Sequence, residues 1–368
     1  MKVMMLGLRG FPNVQGGVEK HAEELCPLLV ALRCEVEVIV RSGYQPVSHG
    51  AQWKGVKFIR LWAPKHKSLE AIIHTFLGVF YAGWKRPDVL HIQAIGPALM
   101  VPLARLLGLK VVVTHHGPDY DRQKWGGFAK SMLELGEKLG MEWSQARIVI
   151  SDVIRKLVQA KYGLDSQLIP NGVQIPALAN STTTLEKFGL QAGRYILLVS
   201  RLVPEKRHLD LIQSFMNADI QNWKLVLVGA SDHPDDYVIQ LKHVVSNTPN
   251  VVMTGYQSGD GLRELYSQAG FFVLPSSHEG LPIAMLEALS YGLPVLASDI
   301  PANLEVGLDA EHYFPLGDID ILAKKLQVFS LRQANAVERE NLRAWVKSKY
   351  DWSEIASATL KVYSSVAR

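Results

Sequence analysis

Cysteine is nearly absent from this chain, whose 368 residues include only Cys26 and Cys34. Neither belongs to a CxxC or a Cys/His cluster. No structural zinc site and no disulfide framework is therefore expected, which suits a reducing compartment. Long apolar runs are missing too, since no uncharged stretch approaches the roughly 20 residues that span a bilayer. The start, MKVMMLGLRG, has only a short apolar run before Arg9. It reads as a first strand rather than a signal peptide. A cytoplasmic protein is expected. There is no internal repeat and no low-complexity segment. Two phosphate-binding signatures are also lacking. Gly7-Leu8-Arg9-Gly10 has no third glycine of a dinucleotide fingerprint, and no G-x-x-x-x-G-K-[ST] run exists. These absences disfavour a dehydrogenase of the Rossmann type and a nucleotide hydrolase.

What is present is apolar surface in quantity. The composition is 48% hydrophobic and 20% charged, as in a globular protein with substantial cores. The length allows two ordinary domains. Charge is uneven: residues 1–172 carry 22 Lys+Arg against 14 Asp+Glu, and the remainder 17 against 21. A basic first half suits an anionic membrane face or an anionic substrate, or is an ordinary solvated surface.

Short β-branched runs alternate with longer amphipathic segments in both halves. KVMMLGL, EVEVIVR, VKFIRLW, DVLHIQ, KVVVTHHG and RIVIS read as strands in the first. YILLVSR, KLVLVGA, NVVMTGY and FFVLPSS read as strands in the second. VEKHAEELCPLLVALR, LEAIIHTFLGVFYAGW, PALMVPLARLLG, HLDLIQSFMNA and GLRELYSQA read as helices. Two parallel α/β domains follow from that alternation. Asn171-Gly172, Pro176 and the Ser181–Thr184 run suggest a boundary near 171–190. The domains are read as 1–172 and 185–350, with an amphipathic tail at about 352–368 that returns to the first.

Four loops at strand ends carry the chemistry, and together they would line one cleft. Gly16 and Gly17 open a helix, where backbone amides and the helix dipole can meet an anion. His115 and His116 follow a buried strand and precede Gly117. Asp119 and Asp121 nearby form an Asp-x-Asp pair, read as a solvated loop face rather than a metal site. Arg201 and Lys206 leave the next domain's first strand, and their two cations can cradle a diphosphate. Such fixed charge lowers the barrier when a phosphate-linked group departs.

The fourth loop belongs to PSSHEGLPIAMLEALSYGLPVLASD, residues 275–299, which sets Glu279 and Glu287 with seven residues between them on a strand–loop–helix–strand pattern. Gly280 permits a tight turn, and Pro282 suits a first helical position. Met285–Ser290 reads as helix, with Gly292 as its stop. Two carboxylates suggest glycoside hydrolysis at first sight. Beside a phosphate-type site they suggest transfer of a sugar from a nucleotide diphosphate instead. The bland alternative is an exposed loop carboxylate and a helix-face carboxylate.

The chain resembles the family-4 glycosyltransferases with the two-domain GT-B architecture. The matching segments are GGVEKH at 16–21, HHG at 115–117, NGV at 171–173, SRLVPEKR at 200–207 and EGLPIAMLEALSYGLPV at 279–295. They occur in the family's order over essentially the whole chain. The start LGLRGFPNVQGGVEKH is similar to a bacterial subgroup that builds surface polysaccharides, rhamnosyltransferases among them.

The resemblance implies a GT-B fold of two Rossmann-like domains facing across a cleft. It also implies a retaining transfer of a hexose or deoxyhexose, with no cofactor and no essential metal. By the same resemblance Glu287 binds the donor's ribose and Glu279 the hydroxyls of the transferred sugar. Arg201 and Lys206 stabilise the diphosphate, Gly17 with Gly16 gives it an amide, and His116 contacts the sugar near the reacting carbon. Many members read Glu-Gly-Phe-Gly-Leu-Pro where this chain has Glu279-Gly-Leu-Pro-Ile-Ala. The amides of Ile283 and Ala284 are then the candidates to face the phosphates. The choice between His115 and His116 stays open.

Expected partners are a nucleotide-sugar donor, a glycan or lipid-linked saccharide acceptor and an anionic membrane surface, with no nucleic acid. Basic and aromatic residues suggest peripheral attachment to the inner face of the cell membrane: Lys65, His66, Lys67, Trp84, Lys85 and Arg86 around one apolar segment, and Lys124, Trp125, Phe128 and Lys130 elsewhere. A core helix with solvated ends is the alternative. Rival functions are a nucleotide-sugar epimerase of similar fold and a non-catalytic sugar-nucleotide binding protein.

Overall fold

The computed structural model describes residues 1–45, 50–64, 69–121, 126–231, 236–332 and 335–367. The chain divides into two compact units. One comprises Met1–Gly172 with Trp352–Arg368, the other Val173–Asp351. Lys65, His66, Lys67, Lys124 and Trp125 lie outside the described residues.

The first unit is built on strands β1 (Lys2–Leu6), β2 (Glu35–Arg41), β3 (Gln52–Trp53), β4 (Val56–Leu61), β5 (Val89–Gln93), β6 (Val111–His115), β7 (Ala146–Val149) and β8 (Gln167–Leu168). They form one sheet in the order β3-β4-β2-β1-β5-β6-β7-β8. Every pairing is parallel except the β3–β4 hairpin. Central strands of a covered parallel sheet are buried on both faces, so they read as continuous apolar runs rather than alternating ones. Accordingly Val3–Leu6 and Val111–Val113 are fully buried. The helix Gly17–Ala31 lays Ala22, Leu25, Cys26 and Leu29 on this sheet. The C-terminal helix Trp352–Ala367 joins the same core through Trp352, Ile355, Val362 and Tyr363. Each such burial contributes roughly 1.5–3 kcal/mol, which explains why the tail belongs to this unit. Cys26 and Cys34 are both free and buried.

The second unit has strands β9 (Tyr195–Val199), β10 (Lys224–Val228), β11 (Val251–Gly255), β12 (Phe271–Leu274), β13 (Val295–Ser298) and β14 (Tyr313–Phe314). Their order is β11-β10-β9-β12-β13-β14, all parallel. This unit starts at Val173, earlier than the sequence suggests. Val173 N–H donates to the Tyr350 carbonyl at 2.8 Å, Ala179 N–H to Ser267 Oγ at 2.9 Å, and Arg343 Nη2 to the Pro176 carbonyl at 3.0 Å. Residues 173–184 look like a linker in composition, yet their polar backbone groups find partners on this unit.

Each sheet has one point where the strand order reverses. In the first unit it lies between β1 and β5, in the second between β9 and β12. Loops leaving the C-terminal ends of strands at such a point form a ligand crevice. Gly7 marks the first of these points. It has φ +108°, and a Cβ there would collide with the Gln93 carbonyl oxygen. Only glycine lets the exits of β1 and β5 approach this closely.

Candidate active site

In the second unit the exits of β9 and β12 are tied together. Ser277 N–H donates to the Glu205 carbonyl at 2.9 Å. The β9 exit is anchored on its other side by His208, whose Nε2 and Nδ1 lie 2.9 Å from Ser200 Oγ and 3.0 Å from the Tyr237 hydroxyl. Burial, then the Lys206 charge, pushes the His208 pKa down to about 3, so this ring is a neutral tether. Arg207 adopts φ +50° between the turn Pro204–Lys206 and the helix His208–Ala218. A left-handed conformation is costly for arginine. It lets the chain enter the helix directly after Lys206.

The result is an ion pair between residues 73 positions apart: Lys206 Nζ donates to Glu279 Oε1. Both side chains are largely buried, 15% and 11% exposed. Burial alone would raise the Glu279 pKa, but the charge and hydrogen bond of Lys206 hold it below the ordinary carboxylate range. Arg201 stands at the same sheet edge and is partly exposed.

The helix after this loop runs from Ile283 to Ser290 and has Pro282 as its N-cap, with no side-chain cap. Proline therefore sits at the N-cap, one position before the first helical residue, rather than at the first helical position expected from the sequence. The Pro282 carbonyl accepts from Met285 and Leu286 N–H at 3.0 and 3.1 Å. The amides of Ile283 and Ala284 head the helix, at its electropositive end. Glu287 lies one turn further on. The Tyr266 hydroxyl donates to its Oε2 at 3.2 Å, and the Tyr266 ring stacks on Tyr291 at 5.0 Å. The carboxylate is thus held from behind by a buried phenol.

Gly16, Gly17 and His116 belong to the first unit. Gly16 N-caps the helix Gly17–Ala31 without a side-chain bond. Its φ is +153°, and a side chain there would collide with the Glu19 carboxylate and the Arg9 guanidinium. Those two pair at 3.0 Å. Burial would raise the Glu19 pKa, and Arg9 more than offsets that, keeping it lowered.

The two histidines after β6 differ. His115 is fully buried, with Nε2 2.7 Å from Glu137 Oε1 and Nδ1 accepting from Gly117 N–H at 3.0 Å. Both of its nitrogens are engaged inside the unit. His116 is half-buried, and its Nε2 stands 2.7 Å from Gln93 Oε1. Successive residues leaving a strand face opposite ways, which separates them. Asp119 and Asp121 sit in a short turn, and among the described residues no group of three or more metal-ligating side chains gathers.

Sequence reading missed Gln93, Glu137 and the Arg9–Glu19 pair. A signal for the first existed: His91 and Gln93 are two polar residues on one face of the fully buried strand VLHIQ.

A parallel-sheet unit with a cation–carboxylate pair and an uncapped helix start at its reversal point, preceded by a second such unit, is the architecture of GT-B glycosyltransferases. Comparison with known proteins agrees. The model of glycosyl transferases group 1 matches residues 182–349, and that of the glycosyl transferase 4-like domain matches 16–172. An uncharacterized glycosyltransferase of Methanocaldococcus jannaschii is 30% identical over 386 aligned positions, covering 99% of this chain and 98% of that one. A phosphatidyl-myo-inositol mannosyltransferase of Mycobacterium leprae is 29% identical over 294, covering 76% and 74%. Among solved structures, Anabaena HepE in complex with UDP and glucose superposes with a TM-score of 0.82 at 18% identity, covering 99% and 100%. The chain belongs to the group 1, family-4 glycosyltransferases, and it is an enzyme of that class.

Proposed function

We propose that this glycosyltransferase moves a hexose or deoxyhexose from a nucleotide-diphosphate sugar to a glycan or lipid-linked acceptor in cell-surface polysaccharide synthesis. It does so with retention of configuration and without a metal or other cofactor. The observation that carries this reading is the Lys206–Glu279 pair at the β9–β12 reversal point. It offers a cation for a diphosphate and a carboxylate for sugar hydroxyls within one hydrogen bond of each other. Arg201 adds a second cation, and the amides of Ile283 and Ala284, with those of Gly16 and Gly17, face the phosphates. Glu287 takes the ribose diol. His116 contacts the sugar.

In the reaction the acceptor oxygen bonds to the anomeric carbon on the face the diphosphate leaves. The carbon–oxygen bond to phosphate breaks, its electron pair stays on the phosphate oxygen, and that oxygen takes the acceptor's proton. Arg201 and Lys206 stabilise the charge that grows there, so neither a protein nucleophile nor a divalent cation is required.

A thermal-shift screen of sugar nucleotides tests the donor class. UDP- or GDP-sugars at about a hundred times their Kd should stabilise the protein by about 2.7 kcal/mol. Deoxythymidine donors, lacking one hydroxyl of the diol, should do so less. No response to any of them, with no transfer, would refute the reading.

The acceptor side favours a lipid. The mycobacterial relative is named for action on phosphatidyl-myo-inositol. The helix Leu69–Lys85 exposes Phe76, Phe80 and Trp84 on one stripe, with Trp84 72% exposed and Lys85 and Arg86 at its end. Phe128, Leu135 and Trp143 are exposed on the helix Gly127–Trp143, which packs on the same Pro97–Met100 turn. Among the described residues no helix is long and apolar enough to cross a membrane. An aromatic stripe with basic flanks suits the surface of an anionic bilayer. Flotation should carry the protein with phosphatidylglycerol vesicles at moderate salt. A Phe80→Ser/Trp84→Ser variant should partition at least about tenfold less. Parent protein left in the dense fraction would count against this docking.

A further inference from the structure

We infer that Gln93 is a positioning residue that locks His116 as a hydrogen-bond acceptor, so that the site reads a hydroxyl of the donor sugar. The inference rests on the contact between His116 and the sugar proposed above.

The exits of β5 and β6 are neighbours, with Gln93 paired to Thr114 in register. This brings Gln93 Oε1 within 2.7 Å of His116 Nε2. A carboxamide oxygen can only accept, so the proton sits on His116 Nε2. The amide is itself held from the other end. Its Nε2 lies 3.2 and 3.3 Å from the two ring nitrogens of His91. His91 is fixed by the Tyr363 hydroxyl at Nδ1, 2.6 Å away, and by Thr114 Oγ1 at Nε2, 2.7 Å away. Burial, then the neighbouring His21, pushes the His91 pKa down to about 3. A neutral His91 donates to one of these hydroxyls and accepts from the other, and the Gln93 amide N–H can share that acceptor nitrogen in either tautomer. With its amide nitrogen toward His91, Gln93 turns its oxygen to His116.

His116 is neutral as well. Burial, and then His21, His91 and His115 around it, holds its pKa well below the usual value. With Nε2–H engaged by Gln93, the lone pair is on Nδ1. His21 meets the His116 ring edge to face at 5.0 Å. Its own Nδ1 lies 2.9 Å from Asn171 Oδ1. A second carboxamide thus locks a second imidazole in the opposite tautomer. An Nδ1 lone pair accepts from a hydroxyl but cannot donate to a ring oxygen or a phosphate. Donors bearing a hydroxyl at that point are favoured over their deoxy analogues.

Long-range 1H–15N correlation on histidine-labelled full-length protein, with His116 assigned by its absence in His116→Ala, reads the tautomer directly. The expected result is a protonated Nε2 and an unprotonated Nδ1 in the parent and in Gln93→Glu, which keeps an acceptor. Gln93→Leu should show a tautomer mixture and lose about tenfold in donor kcat/KM, the scale of one lost neutral hydrogen bond. A structural role alone would leave the tautomer unmoved in both variants. A proton on His116 Nδ1 in the parent overturns the inference whatever the kinetics. The expected tautomer with a kinetically silent His116→Ala overturns instead the contact with the sugar, and the hydroxyl readout falls with it. Because Gln93→Glu retains the polar contact, the tautomer can be read even if Gln93→Leu fails to fold.

Discussion

Alanine at Lys206 or at Glu279 is expected to slow sugar transfer on the order of a hundredfold or more, the scale of a lost transition-state contact. Each side chain holds the other. In the free protein the Lys206 ammonium is spent on Glu279. In the function proposed above, a diphosphate arriving at the β9 exit shares or replaces that carboxylate and so releases Glu279 toward the sugar. Lys206→Ala therefore removes more than a cation. It leaves Glu279 largely buried without its counter-charge, and burial then raises the pKa that Lys206 now keeps low. Groups that act as a unit give non-additive losses. The double variant should be about as slow as the slower single one. Melting temperatures measured in parallel separate a folding defect from a catalytic one. Near-parental rates in both single variants, or losses that multiply in the double, would remove this pair from the chemistry.

Much of this was legible in the sequence, and the reasons are local. The helix His208–Ala218 coincides with the segment HLDLIQSFMNA because its apolar residues fall on one face. The turn between β12 and β13 was visible from Gly280, Pro282 and Gly292, residues that punctuate a chain by their own backbone preferences. The strands β3, β8 and β14 were not visible, since two residues carry no period. The pairing of Lys206 with Glu279 was not visible either. It depends on β9 lying beside β12, and strand order is a property of the whole sheet. The different surroundings of His115 and His116 were not visible either, because they depend on Glu137, which binds His115 and arrives from another helix. Nothing in the local run GFAKSMLELGEKLGMEW distinguishes that glutamate from its neighbours.

Glu137 carries the largest expected effect on stability. It is fully buried, yet ionised. Its oxygens accept from His115 Nε2 at 2.7 Å, Lys161 Nζ at 2.8 Å, and the hydroxyls of Tyr162 and Tyr120 at 2.7 and 3.1 Å. These partners come from the β6 end, the turn after it and the helix Asp152–Tyr162, so one carboxylate ties three segments together. Burial would raise its pKa, but the bonds from His115, Lys161 and Tyr162 outweigh that and hold it at about 2. In the unfolded chain a glutamate titrates near 4.3. The folded state thus binds the proton less readily than the unfolded one. The stabilisation is complete above about pH 4.3 and is lost as pH falls toward 2. Glu137→Gln keeps the shape, removes the charge and should cost about 3–5 kcal/mol at neutral pH, as for a broken buried ion pair. Acid titration followed by circular dichroism should show the first unit of the parent weakening through that window. The variant should start lower, fall less steeply, and meet the parent at the acid end. Parallel acid limbs for the two proteins would mean that the charge of Glu137 is not what holds these segments.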